Sequence, residues 1–249
     1  MTRVNKKLSK EETGELNAVY SSKAKESDLK DIATTLNKRF KPNKKQCEFI
    51  EVIKNNTVTI CHGSAGTGKT AVSVYQGLLE AIRDRKKLMI VRPIVESSTN
   101  GLGFLPGELS DKVDPYFKPI KYLLQDMVGE SSMKDLIRMG KLEFEIVNFI
   151  RGATLNNRII VCDEAQNFTL DEMMLLITRL GKTSKIIFVG DFYQSDLRKA
   201  KGSIMDLANL ISTVDGVSKF TFTNKDVVRN PLLVEITRIW EEYKIEKGI

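Results

Sequence analysis

The run Gly63-Ser64-Ala65-Gly66-Thr67-Gly68-Lys69-Thr70 fits G-x-x-x-x-G-K-[ST], and it constrains this chain more than any other stretch. An apolar run, Thr57 to Cys61, precedes it and an amphipathic helical pattern follows, so it sits at a strand-to-helix turn. Glycines there let the backbone wrap close to an anion, with successive N–H groups and the helix N-terminus turned toward it. The expected ligand is a nucleoside triphosphate, ATP with Mg²⁺. Gly63, Ser64, Ala65, Gly66, Thr67 and Gly68 cradle the phosphates, Lys69 reaches the β and γ phosphates, and the Thr70 hydroxyl ligates the metal.

Around this loop the apolar runs are short and separated by helical stretches: Thr57 to Cys61, Lys87 to Val91, Leu142 to Val147, Ile159 to Cys162, Ile186 to Val189 and Val217 to Phe222. Runs without strict alternation suit strands covered on both faces, as in a parallel sheet, and a three-layer α/β sandwich follows. Leu29, Ile32, Ala33 and Leu36 predict a helix from Ser27 that ends at Phe40 to Pro42, and a second helix spans Lys44 to Lys54 with Phe49, Ile50 and Ile53 on one side. Residues 1–25 read as a polar, mobile tail and 26–249 as one domain, with about 101–141 a surface elaboration near the ligand edge of the sheet.

No run approaches the roughly 18 apolar residues of a membrane span, and the first ten residues lack a secretion signal's apolar core, so the cytoplasm is the expected location. Cys47, Cys61 and Cys162, with a single histidine, make no convincing zinc site and are expected to be reduced and buried. The net charge of +7 and pI of about 9.2 leave two readings open, nucleic-acid association and simple solubility.

Ile159 to Cys162 ends in Asp163-Glu164. An Asp there can hold the Mg²⁺ shell and the adjacent Glu can orient and activate the attacking water, although two adjacent acids also suit a solvated helix start. Ile186 to Val189 likewise delivers Gly190-Asp191 and then Gln194 to the same edge. Gln194 either hydrogen-bonds the γ phosphate or its water, or is an ordinary turn residue. Gln46 either reads the adenine edge, which would favour ATP over GTP, or faces solvent. His62 at the loop's mouth is expected to pack the loop. Trp240, with Ile236, Ile239 and Tyr243, is expected in the core or a subunit contact. Phe192 and Tyr193 either stack on bases or are buried.

The order of these pieces, Gln46, the glycine-rich loop, Asp163-Glu164-Ala165-Gln166 and then Gly190-Asp191-Phe192-Tyr193-Gln194, resembles the first motor domain of superfamily 1 helicases. Val91 to Glu96, Leu102 to Gly107, Arg151 to Asn156, Asp163 to Asn167 and Asp226 to Arg229 are more specifically similar to the PhoH-like family of ATPases, over about residues 40–245. The sequence departs from the family's pattern at Ala153, Arg198 and Asn230. The resemblance implies a RecA-like domain, ATP hydrolysis, assembly into rings such as hexamers, a relation in some members to RNA helicase activity, and Arg229 as the candidate arginine finger; the competing reading of Arg229 is a surface Arg paired with Asp226 or Glu235. After Gln194 only 55 residues remain, too few for a second motor domain, so a neighbouring subunit is the expected source of the missing face. A head-to-tail ring would put Arg229 of one subunit near Glu164 of the next. The leading expectation is an oligomeric ATPase that remodels RNA or single-stranded DNA. The alternative is a nucleotide-gated regulator with slow hydrolysis, and a small-molecule kinase stands third because the Asp163-Glu164 pair favours water as nucleophile.

Overall fold

The computed structural model describes residues 27–93, 109–150, 152, 154–191, 204–228 and 231–247. Six strands, β1 (Val58–Gly63), β2 (Lys87–Arg92), β3 (Leu142–Ile146), β4 (Arg158–Cys162), β5 (Lys185–Gly190) and β6 (Val217–Phe222), form one sheet in the order β3-β2-β4-β5-β1-β6. Every pairing between them is parallel, so their C-terminal ends share one edge. The expected strands are all present, each shifted by a residue or two at most.

Side chains of successive strand residues alternate between two apolar layers, because neighbouring Cβ atoms point to opposite faces of a strand. Leu88 and Ile90 of β2, Ile159 and Val161 of β4, and Ile187 and Val189 of β5 join one core. Met89 and Val91, Ile160 and Cys162, and Ile186 and Phe188 join the other. Each fully buried side chain of this kind contributes about 1.5–3 kcal/mol, which is why these strands read as unbroken apolar runs. The first core is covered by α1 (27–39), α2 (Lys44–Asn55), α3 (Lys69–Arg83), α4 (Leu109–Val128) and α5 (Glu130–Arg138), and the second by α6 (Leu170–Thr178) and α7 (Ile204–Ile211). The RecA-like three-layer sandwich is thus present.

Local chemistry sets the helix limits. Asn43 caps α2 through a reciprocal box with Gln46, and Lys185 Nζ donates to the carbonyls of Ile53 and Lys54 at the other end, 3.0 and 2.5 Å away. The segment read as a surface elaboration also feeds the core: Phe117, Ile120 and Leu124 of α4 and Met133 and Leu136 of α5 are buried against the sheet.

Cys61 and Cys162 are buried as expected, but Cys47 is exposed. The inward stripe of α2 is Gln46, Phe49, Ile50 and Ile53, and position 47 falls outside it. The last helix, α8 (Pro231–Lys247), leaves Leu232, Ile236, Ile239, Trp240 and Tyr243 exposed, with Trp240 at 52%, so these five residues are not core. None of the described helices is long and apolar enough to cross a membrane.

Candidate functional site

Because the sheet is parallel, β1, β2, β4 and β5 deliver Gly63, Arg92, Asp163 and Asp191 to the same edge, where a cleft of about 520 Å³ opens between the phosphate-loop sequence, α4 and Val228. A larger groove of about 1220 Å³ lies among α1, α2 and α3, but it is lined by none of these groups, and chemistry outranks volume in choosing the site.

The loop is built for close approach of an anion. Gly66 and Gly68 have φ of 81° and 87°, in the left-handed region, and a Cβ on Gly68 would stand 2.6 Å from Gln46 Nε2. Gln46 braces the loop from behind: Nε2 donates to the Thr67 carbonyl at 3.1 Å, while Oε1 accepts the Asn43 N–H at 3.0 Å. It is buried and does not face solvent. The Thr67 hydroxyl donates to the Ser64 carbonyl at 3.1 Å, Ser64 is hydrogen-bonded to Asn224, and Val228 N–H donates to the Gly66 carbonyl at 3.0 Å. The loop is therefore held from both sides.

Lys69, 9% exposed, donates from Nζ to the carbonyls of Gly63 and Ser64 at 2.5 and 2.8 Å. Burial pulls its pKa below the ordinary lysine value, opposed chiefly by the Asp191 carboxylate and also by Glu164 and Asp163. Next to it the Thr70 hydroxyl donates to Asp163 Oδ1 at 2.6 Å. Asp163 is only 2% exposed, and its other oxygen accepts from Arg92 Nε and Nη2 at 2.9 and 2.5 Å. Arg92 also donates from Nη1 to the Tyr116 carbonyl of α4 at 2.5 Å and lies 3.6 Å from Glu164 Oε1.

Glu164 has a different environment. Its side chain is 49% exposed and its backbone is left-handed, with φ 56° and ψ 43°, a conformation costly to a residue with a Cβ. Gln166 Nε2 donates to Glu164 Oε2 at 2.6 Å, and Gln166 Oε1 accepts the Asp191 N–H at 3.0 Å. His62, half-buried, contacts the Thr221 hydroxyl at 2.7 Å through Nε2. Its pKa is pushed down to about 4, first by burial and then by Lys219 and Lys69.

The structure thus brings together the loop, Lys69, Thr70, Asp163 and Glu164. Gln194, Arg229, Phe192, Tyr193, Ala153, Arg198, Asn230 and the Leu102 to Gly107 stretch lie outside the described residues. A hydroxyl and a carboxylate oxygen side by side, next to an ammonium and left-handed glycines, form a donor set suited to a hard divalent cation on a polyphosphate. Sequence reasoning assigned no role to Arg92 or Gln166. Both stood inside motifs quoted for the family resemblance, and Arg92 carried the further signal of a cation ending an apolar strand.

The chain is similar to several known proteins. The family model described as PhoH-like protein matches residues 40–241. A PhoH-like protein of Synechocystis sp. is 39% identical over 201 residues, covering 79% of this chain and 60% of that protein. One of Bacillus subtilis is 34% identical over 245 residues, covering 93% and 76%, and Protein PhoH of Escherichia coli is 32% identical over 194 residues, covering 76% and 54%. The chain therefore spans about 60% or less of the length of some of the relatives it matches. Among solved structures it is similar to Pif1 helicase from Candida albicans, at 15% identity and a TM-score of 0.35, over 74% of this chain and 40% of that one, a likeness too loose to bear on chemistry. With the phosphate loop, its paired acids and the matching family model in agreement, this chain belongs to the PhoH-like protein family and has its P-loop NTPase fold.

Proposed function

We propose that this chain is a Mg²⁺-dependent ATPase that acts as an oligomer and couples hydrolysis to remodelling of RNA or single-stranded DNA. The observation that carries the reading is the convergence of Lys69, the Thr70–Asp163 pair 2.6 Å apart and Glu164 in one cleft. Lys69 and the main-chain N–H groups of Gly63 to Thr70 bind the β and γ phosphates, and Thr70 and Asp163 would hold Mg²⁺. When bound, that ion neutralises the phosphate charge. Glu164, next to the buried acid but open to the cleft, orients a water and takes its proton. Gln46 keeps one amide N–H and one lone pair beyond its two hydrogen bonds, the complement of an adenine edge. Gln194 positions the water or the γ phosphate. Arg229 supplies the finger that steadies developing charge, and its neighbour Val228 is tied to the Gly66 carbonyl of the same chain. The net charge of +7 supports a polyanionic partner, and the exposed apolar residues of α8 support contact between copies.

Phosphate release from ATP, with and without Mg²⁺ and with RNA or single-stranded DNA, tests each part. Glu164→Gln is expected to keep nucleotide binding and lose at least about 10²-fold in rate, the lower range for a positioned base. Lys69→Ala is expected to lose both. Absence of any phosphate release sinks the reading, and a rate indifferent to every nucleic acid leaves only the nucleotide-gated regulator. Mixing Lys69→Ala with Arg229→Ala subunits separates a finger that acts in its own subunit from one that acts on a neighbour, since recovery of activity in the mixture requires Arg229 to serve a neighbour.

A further inference from the structure

Gln166 is 7% exposed, and its carboxamide bridges two parts of the cleft that lie beyond the last β4–β5 pair, Cys162 with Phe188: Glu164, next to the buried acid that follows β4, and Asp191, just after β5. Its orientation has one solution: the Asp191 N–H requires the carbonyl oxygen, which turns the NH₂ group toward Glu164. The charge-assisted half of this bridge, 2.6 Å to Glu164 Oε2, is the stronger one. Two backbone features keep the bridge in place. Glu164 is held left-handed, which turns the chain so that the side chains of residues 164 and 166 meet. At Gly190, any Cβ would stand 2.7 Å from Gln166 Oε1 and 2.9 Å from Gln166 N, so this position must lack a side chain for Gln166 to lie across it.

We propose that Gln166 is a positioning residue that aims the Glu164 carboxylate and couples its orientation to Asp191, where the chain leaves the sheet toward Gln194. The inference rests on the hydrolytic reading of Glu164 given above. Gln166 touches no reacting atom in this role; it fixes the direction of the group that does. Movement of Glu164 during turnover is thereby felt at the start of the segment after β5, and a displacement there is felt at Glu164.

Gln166→Glu and Gln166→Ala test it together. The first keeps an acceptor for the Asp191 N–H and replaces the donor to Glu164 with a like charge; the second removes both ties. Both variants are expected to bind ATP within about threefold of wild type while the rate of phosphate release falls at least about tenfold, a part of the roughly 10²–10⁴ that a positioned base contributes. Hydrogen exchange without nucleotide supplies a second readout: the Asp191 amide should exchange faster in Gln166→Ala and stay protected in Gln166→Glu. An unchanged rate in either folded variant, or a rate loss matched by an equal loss of ATP affinity, overturns the proposal. Wild-type protein that releases no phosphate, or a Glu164→Gln variant as active as wild type, overturns the hydrolytic reading first and this inference with it.

Discussion

His62 is the only histidine of the chain, and its surroundings disfavour its charged form: burial first, then Lys219 and Lys69. A folded-state pKa of about 4 against an ordinary 6.5 means that the unfolded chain takes up a proton that the folded one refuses. The contribution to stability is therefore intact above pH 6.5 and declines as pH falls toward 4, where it levels off. His62→Gln should flatten that decline. Urea unfolding of both proteins at pH 7.5 and pH 5 checks it, and equal pH dependence in the two would contradict the assignment. At the same scale, Asp163 and Glu164 are adjacent yet differently placed: one is buried between Thr70 and Arg92, the other is half exposed under Gln166. That division is what lets neighbouring carboxylates take separate tasks.

Among the elements, α6 is set by its N-terminus more than by its length. Thr169 accepts the Glu172 N–H at 3.2 Å, and Glu172 Oε2 accepts the Thr169 N–H at 2.8 Å, so two otherwise orphaned donors are satisfied reciprocally. Thr169→Ala is expected to cost about 1 kcal/mol of stability. A Glu172→Ala control should lose less, because the Thr169 hydroxyl can still cap. Denaturant midpoints that do not move for Thr169→Ala would show that packing of Met173 and Leu176 alone holds the helix. α4, besides burying Phe117, Ile120 and Leu124, reaches the acid pair through one carbonyl. Tyr116 accepts from the guanidinium that also grips Asp163, so this helix touches the acid pair without contributing a side chain to it.

On the scale of the whole molecule, two faces of the sheet are covered by helices, but α8 still presents Leu232, Ile236, Ile239, Trp240 and Tyr243 outward. The spacing 232, 236, 239, 243 is that of one helical stripe, and a stripe of this kind is characteristic of a contact surface. Ile236→Asp with Ile239→Asp is expected to shift the protein toward the monomer in sedimentation velocity. Wild-type protein that sediments as a monomer with and without ATP would remove the oligomeric part of the proposal.

The strands, the glycine-rich loop and the Asp163-Glu164 pair were legible from residue order alone, because burial on both faces, tight turns and anion cradles each leave a local pattern a few residues long. Arg92 beside Asp163 was not: the two are 71 positions apart and meet only because β2 and β4 pair in one register. The bridge from Glu164 through Gln166 to Asp191 likewise needed β5 to lie beside β4, and Gln46, tied locally to Asn43, found the Thr67 carbonyl only when α2 packed behind the loop. Strand order and helix packing are decided by competition among many weak contacts over the whole chain, and no short window of sequence holds that sum.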